Sequence, residues 1–103
     1  MAVADGPADA ADPTAGQNPA VQAAFARLRS QFVAGLPQRW AQIVSAPQGP
    51  LRVAGLHRLT GAAGSYGLLA LADAARQAEA MQGADETLLA VRQQIEAVGV
   101  TVP

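Results

Sequence analysis

A chain of 103 residues has room for one domain and little more. Half of it is hydrophobic, only 4% is aromatic and 25 residues are alanine, so the core is expected to be aliphatic and helical, and no sandwich, barrel or doubly wound sheet is expected. With no cysteine, one histidine and a net charge of −1, the chain cannot hold a disulfide scaffold, a thiolate metal site, a cysteine nucleophile or a zinc centre built mainly from imidazoles.

Residues 1–18 read as a tail of the disordered type. They hold Asp5, Asp9 and Asp12, no basic residue and no apolar period, so they are neither a core element nor a secretory signal. From Pro19 onward seven arginines face five acids, a net of +2. That suits docking against an acidic protein face and falls short of a nucleic-acid footprint. No run approaches ~18 uninterrupted apolar residues, so no membrane span is expected. The expectation is a cytoplasmic protein.

Asn18-Pro19 opens the first helix, with an asparagine cap and proline at the first helical position. Phe25, Leu28, Phe32, Leu36, Trp40 and Ile43 follow at spacings of three and four, predicting one continuous inward stripe. Pro37 interrupts it and predicts a kink near Gly35-Leu36. Pro47-Gln48-Gly49-Pro50 is a break, and Pro50 is placed to open the second helix. Leu56, Leu59 and Ala63 face inward there, extended one turn earlier by Leu51 or Arg52. A turn around residues 64–67 leads to a third helix with Leu68, Leu71, Ala75 and Ala78 inward. Its polar residues, Asp73, Arg76, Gln77 and Glu79, are left for solvent. Gln82-Gly83 ends it. Asp85 is expected to cap the last helix, whose stripe is Leu88, Val91, Ile95 and Val98, ending at Gly99. The predicted fold is all-α: residues 19–103 form an antiparallel up-down four-helix bundle with a kinked N-terminal helix.

His57 follows the inward Leu56, which puts it on an outer face with Val53, Ala54, Thr60, Gly61 and Gly64. A glycine inside a helix costs about 1 kcal/mol relative to alanine. In so alanine-rich a chain, Gly61 suggests a face stripped of side chains for close approach by another body. Imidazole, with an ordinary pKa near 6.5, is largely neutral at pH 7, and its nitrogen can attack phosphorus to form a phosphoramidate.

The stretch His57-Arg58-Leu59-Thr60-Gly61-Ala62-Ala63-Gly64-Ser65-Tyr66-Gly67, followed by Leu71, resembles the signature of histidine phosphotransfer (HPt) domains. That signature has His, Leu at +2, Lys-Gly at +3 and +4, two small residues, an aromatic or aliphatic residue near +9, Gly at +10 and Leu at +14. The match departs at +3, where the family's lysine is Thr60. The resemblance covers residues 19–98. It implies that His57 accepts and donates a phosphoryl group in exchange with a receiver-domain aspartate or a hybrid or sensor histidine kinase. The receiver would supply Mg²⁺, and the chain would need no cofactor or metal of its own. Thr60, Gly61 and Arg76 would support the phosphoryl group, and Val53, Ala54, Arg58, Gly64 and Leu68 would dock the partner. Such a chain would act as a monomer, binding neither nucleic acid nor membrane.

Plainer readings stand beside these. Gly61 serves tight helix packing if it faces inward, Trp40 is core, Tyr66 is a core plug at the hairpin, and Arg76 is a solvated helix residue. No carboxylate pair or serine triad pattern supports other chemistry. The glycines of residues 61–67 lack the lysine of a phosphate-binding loop. The competing functions are a non-phosphorylated adaptor that binds a kinase or receiver through the same face, and a purely structural helical domain.

Overall fold

The computed structural model describes residues 18–102. Asp5, Asp9, Asp12 and the rest of the expected tail before Asn18 lie outside the described residues. The helical segments are α1 (Pro19–Ala34), α2 (Leu36–Ser45), α3 (Pro50–Ser65), α4 (Leu69–Ala80) and α5 (Asp85–Ala97). α1 and α2 are two arms of one bent helix, so the architecture is four helices, and no strand occurs among the described residues. None of the described helices is long and apolar enough to cross a membrane.

The chain divides into two units, Met1–Gln31 and Phe32–Pro103. In the first, α1 starts as its sequence dictates. The Val21 N–H donates to Asn18 Oδ1 at 2.9 Å, which satisfies one of the orphan donors of the first turn. Pro19 occupies a position where an N–H would have no partner anyway. Phe25 and Leu28 are 42% and 50% exposed, whereas Phe32, Leu36, Trp40 and Ile43 are buried. The stripe predicted to run inward from Phe25 therefore becomes core only at Phe32. A 3.6-residue period marks one face of a helix; it does not supply a surface to cover that face.

In the second unit the predicted kink is present. Pro37 has no N–H to continue the helical ladder. The Gly35 N–H turns back to the Phe32 carbonyl at 3.1 Å, and the ladder resumes with the Arg39 N–H on the Gly35 carbonyl at 3.1 Å. α2 packs on α3 and α5, α3 on α4, and α4 on α5. Consecutive helices joined by short loops thus close into an up-down bundle. Its core is aliphatic, with Leu56, Leu59 and Ala63 from α3, Leu71, Ala72, Ala75 and Ala78 from α4, and Leu88, Val91 and Ile95 from α5. Tyr66 stacks on Phe32 with ring centroids 5.3 Å apart, partly buried at the hairpin as a core plug. Gly67, at φ +76°, ends α3 with the Leu68 N–H on the Ala63 carbonyl at 2.9 Å, the left-handed closure a side chain would strain.

Of the two residues predicted to extend the α3 core face, Leu51 is 73% exposed and Arg52 is 6% exposed. The buried guanidinium is well partnered. Arg52 Nε donates to the carbonyls of Ala46 at 3.0 Å and Ile43 at 3.3 Å. Nη1 donates to the Gly83 carbonyl at 2.8 Å and to Asp85 Oδ1 at 2.5 Å. Asp85 therefore does not cap α5, as its sequence position suggested. Ala84 holds the cap position, Asp85 is the first helical residue, and its carboxylate is drawn to Arg52. Gly83, at φ +72°, has no room for a side chain: a Cβ there would stand 2.8 Å from Arg52 Cδ. The chain goes on past α5. Gly99 turns it at φ +109°, and Val102 is buried at 3% exposure against the same core.

Arg52→Met is expected to cost about 3 kcal/mol, because it leaves buried carbonyls of two loops without donors. Asp85→Asn is expected to cost less than about 1 kcal/mol, because that carboxylate is 84% exposed. Urea denaturation of both variants checks the order, and equal losses would show that the ion pair rather than the carbonyl set is what matters.

Candidate functional site

α3 carries His57 at a defined angle because its neighbours are fixed. Leu56, Leu59 and Ala63 point into the core, and that rotation turns His57 to the outer face above α4. The His57 side chain is 76% exposed. Its Nδ1 lies 3.1 Å from both carboxylate oxygens of Glu79 on α4. A carboxylate only accepts, so in the neutral ring this contact favours hydrogen on Nδ1, with the lone pair then on Nε2. No described residue is hydrogen-bonded to Nε2.

Glu79 is the residue the sequence reading missed. Its position in the sequence suggests solvent, whereas its side chain is 25% exposed and engaged with the imidazole. The signal was present in the hairpin: His57 and Glu79 stand equally far in sequence from Leu68, where the chain reverses. An antiparallel helix pair brings such positions level.

The bare patch predicted beside His57 is real. Gly61 and Gly64 are exposed, and a Cβ added to either would meet nothing within 4 Å. Tight helix packing therefore does not explain Gly61. Val53 and Ala54 are partly buried one turn before the histidine. Leu68 packs partly against the core at the start of α4.

The other predicted residues do not converge on the imidazole. The Thr60 hydroxyl donates to the Leu56 carbonyl one turn back at 2.9 Å, so its only hydrogen is already committed. Arg76 Nη1 donates to Asp73 Oδ1 at 2.6 Å, an exposed pair along α4. Arg58 lines a cleft on the α2 side of α3, together with Arg39. Among the described residues no group of acids and histidine is placed to hold a metal ion.

Chemically, the arrangement offers an exposed imidazole in one tautomer, oriented by a carboxylate, with unobstructed space alongside. Such a ring is a nucleophile whose second nitrogen is stabilised as charge develops. The exposed pair contributes little to stability, under about 1 kcal/mol. Its measurable effect is on the tautomer. In the neutral ring Nδ1–H is expected to dominate, and Glu79→Ala is expected to shift the population toward Nε2–H. Long-range proton–nitrogen correlation spectra of the imidazole check this; an unchanged ratio would remove Glu79 from the site. Comparison of the chain with protein-family models, with curated proteins and with solved structures finds no match in any of the three.

Proposed function

We propose that the chain is a phosphorelay intermediate in which His57 accepts and donates a phosphoryl group. The observation that carries this is the exposed imidazole, held through Nδ1 by Glu79, on a helix face where Gly61 and Gly64 leave open space. The resemblance of residues 57–71 to the histidine phosphotransfer signature supports the same reading.

The Nε2 lone pair attacks the phosphorus of an aspartyl phosphate on a receiver domain. The phosphorus–oxygen bond to the aspartate breaks, and the carboxylate leaves with the electron pair. The imidazole ring gains positive charge as Nε2–P forms, and the Glu79 carboxylate accepting from Nδ1–H stabilises it. The receiver contributes Mg²⁺ and the acidic pocket in which the phosphoryl group transfers. This chain contributes the nucleophile, its tautomer and a surface that admits the pocket. Loading from a hybrid or sensor histidine kinase is the alternative entry. The role is a cytoplasmic one, carried out by a monomer without a cofactor of its own.

A second reading has its own observation. Thr60 stands where the family has lysine, and its hydroxyl hydrogen is given to Leu56. No cation of α3 is therefore offered to a phosphoryl group from that position. This favours a non-phosphorylated adaptor that binds a receiver or kinase through the same face.

Incubation with a phosphorylated receiver, or with an active hybrid kinase and ATP, separates the two. The relay predicts acid-labile, base-stable label on the chain that vanishes in His57→Gln. Binding without label, unchanged by that substitution, would establish the adaptor instead. In the relay, Glu79→Gln is expected to slow transfer roughly 10–100-fold without unfolding the bundle. Gly61→Arg should fold normally, since its side chain enters open space, and should slow transfer at least about tenfold by obstructing approach. Stopped-flow transfer rates with thermal melts as controls read both; wild-type rates in Gly61→Arg would refute the close-approach argument.

A further inference from the structure

Charge is distributed unevenly along this chain. Between Asp12 and Asp73 there is no aspartate or glutamate, while five of the seven arginines fall in that interval. α2 and α3 therefore present cations without acids, and the described carboxylates lie on α4 and α5. Of the three arginines on α2 and α3, Arg52 is buried with its partners. Arg39 and Arg58 line one small cleft between the two helices, with Gln42, Ile43, Leu51 and Gly55.

Three features make this cleft more than a chance pairing of surface charges. At its floor Gly55 lets α2 and α3 come close: a Cβ there would stand 3.2 Å from Ile43 Cγ1 and 3.9 Å from Arg58 Nη2. Arg39 is oriented by the face of Phe32, 5.1 Å from the ring centroid, a contact that leaves its donor edge uncommitted. Arg58 makes no ion pair or hydrogen bond with any described residue. Two guanidinium groups thus border one opening, with no carboxylate of α2 or α3 to neutralise them.

We propose that this cleft is an anion-recognition site that takes an aspartate or glutamate side chain of a protein partner. The open space is about 50 Å³. That is room for a small polar group such as one carboxylate. Guanidinium forks match a carboxylate in a two-point geometry. Leu51, 73% exposed at the lip, adds an apolar contact that a protein surface can use and a free anion cannot. The cleft and His57 lie on opposite flanks of α3. Positions 51, 55 and 58 share one side of the helix core face and positions 53, 57 and 64 the other. The site therefore stands whether or not His57 carries phosphate.

The test is a titration of the full chain with the peptide acetyl-Glu-Glu-Leu-amide, following the arginine Nε–H resonances. The expected result is saturable shifts of Arg39 and Arg58 while Arg27 stays in place, and at least a tenfold weaker affinity in Arg58→Gln. Arg58→Gln breaks no ion pair or hydrogen bond with a described residue, so its fold should match the parent in a thermal melt. Acetyl-Gln-Gln-Leu-amide should produce no shift. The proposal is overturned if the shifts do not saturate, if Arg27 moves in parallel, or if Arg58→Gln binds as tightly as the parent. It is equally overturned if inorganic phosphate or a short oligonucleotide binds there more tightly than the acidic peptide.

Discussion

A guanidinium group sits where an aliphatic core would be expected to continue. α2 ends in carbonyls that its own helix cannot satisfy, and Arg52 reaches them from α3. The same side chain also holds the loop between α4 and α5 through the Gly83 carbonyl and the start of α5 through Asp85. The end of α2, close by in sequence, and the junction of α4 and α5, far along it, are thereby tied to one turn of α3. Gly83 is part of the arrangement, since its left-handed backbone and missing side chain give the arginine stem its space. With that end of α3 anchored and Leu56, Leu59 and Ala63 buried, the rotation of the helix is set. Where His57 points follows from it.

The two ion pairs of α3 differ in kind. Arg52 and Asp85 belong to a cluster whose value lies in satisfying buried carbonyls, and the exposed carboxylate is its least important member. The exposed His57 and the half-buried Glu79 contribute little to folding, but the carboxylate favours hydrogen on one nitrogen of the neutral imidazole. The first pair bears on how the helices pack, the second on the state of an exposed ring. Gly61 and Gly64 sit beside it without any packing reason to be glycine, which is what a surface approached closely by another molecule requires.

α3 consequently presents two distinct flanks. Toward α4 lies an imidazole with its carboxylate, and toward α2 a pair of arginines without one. Acids confined to α4 and α5 account for the difference: His57 finds Glu79 only because it faces that side. A partner with an acidic surface would be attracted to α2 and α3 and repelled by much of the opposite layer, which favours one docking orientation.

The helices, the Asn18 cap, the bend before Pro37, the aliphatic core of α3 to α5 and the outward placement of His57 were all legible in the sequence. Each depends on residues within one or two helical turns, where spacing and proline or asparagine chemistry act directly. Glu79 beside His57, Asp85 bound to Arg52 rather than capping its helix, and the exposure of Phe25 and Leu28 were not. The two pairings join residues 22 and 33 positions apart, and they depend on how one helix is rotated and staggered against another. Periodicity tells which side of a helix is apolar, but only packing decides which neighbour that side meets and which polar groups are brought level at its edges.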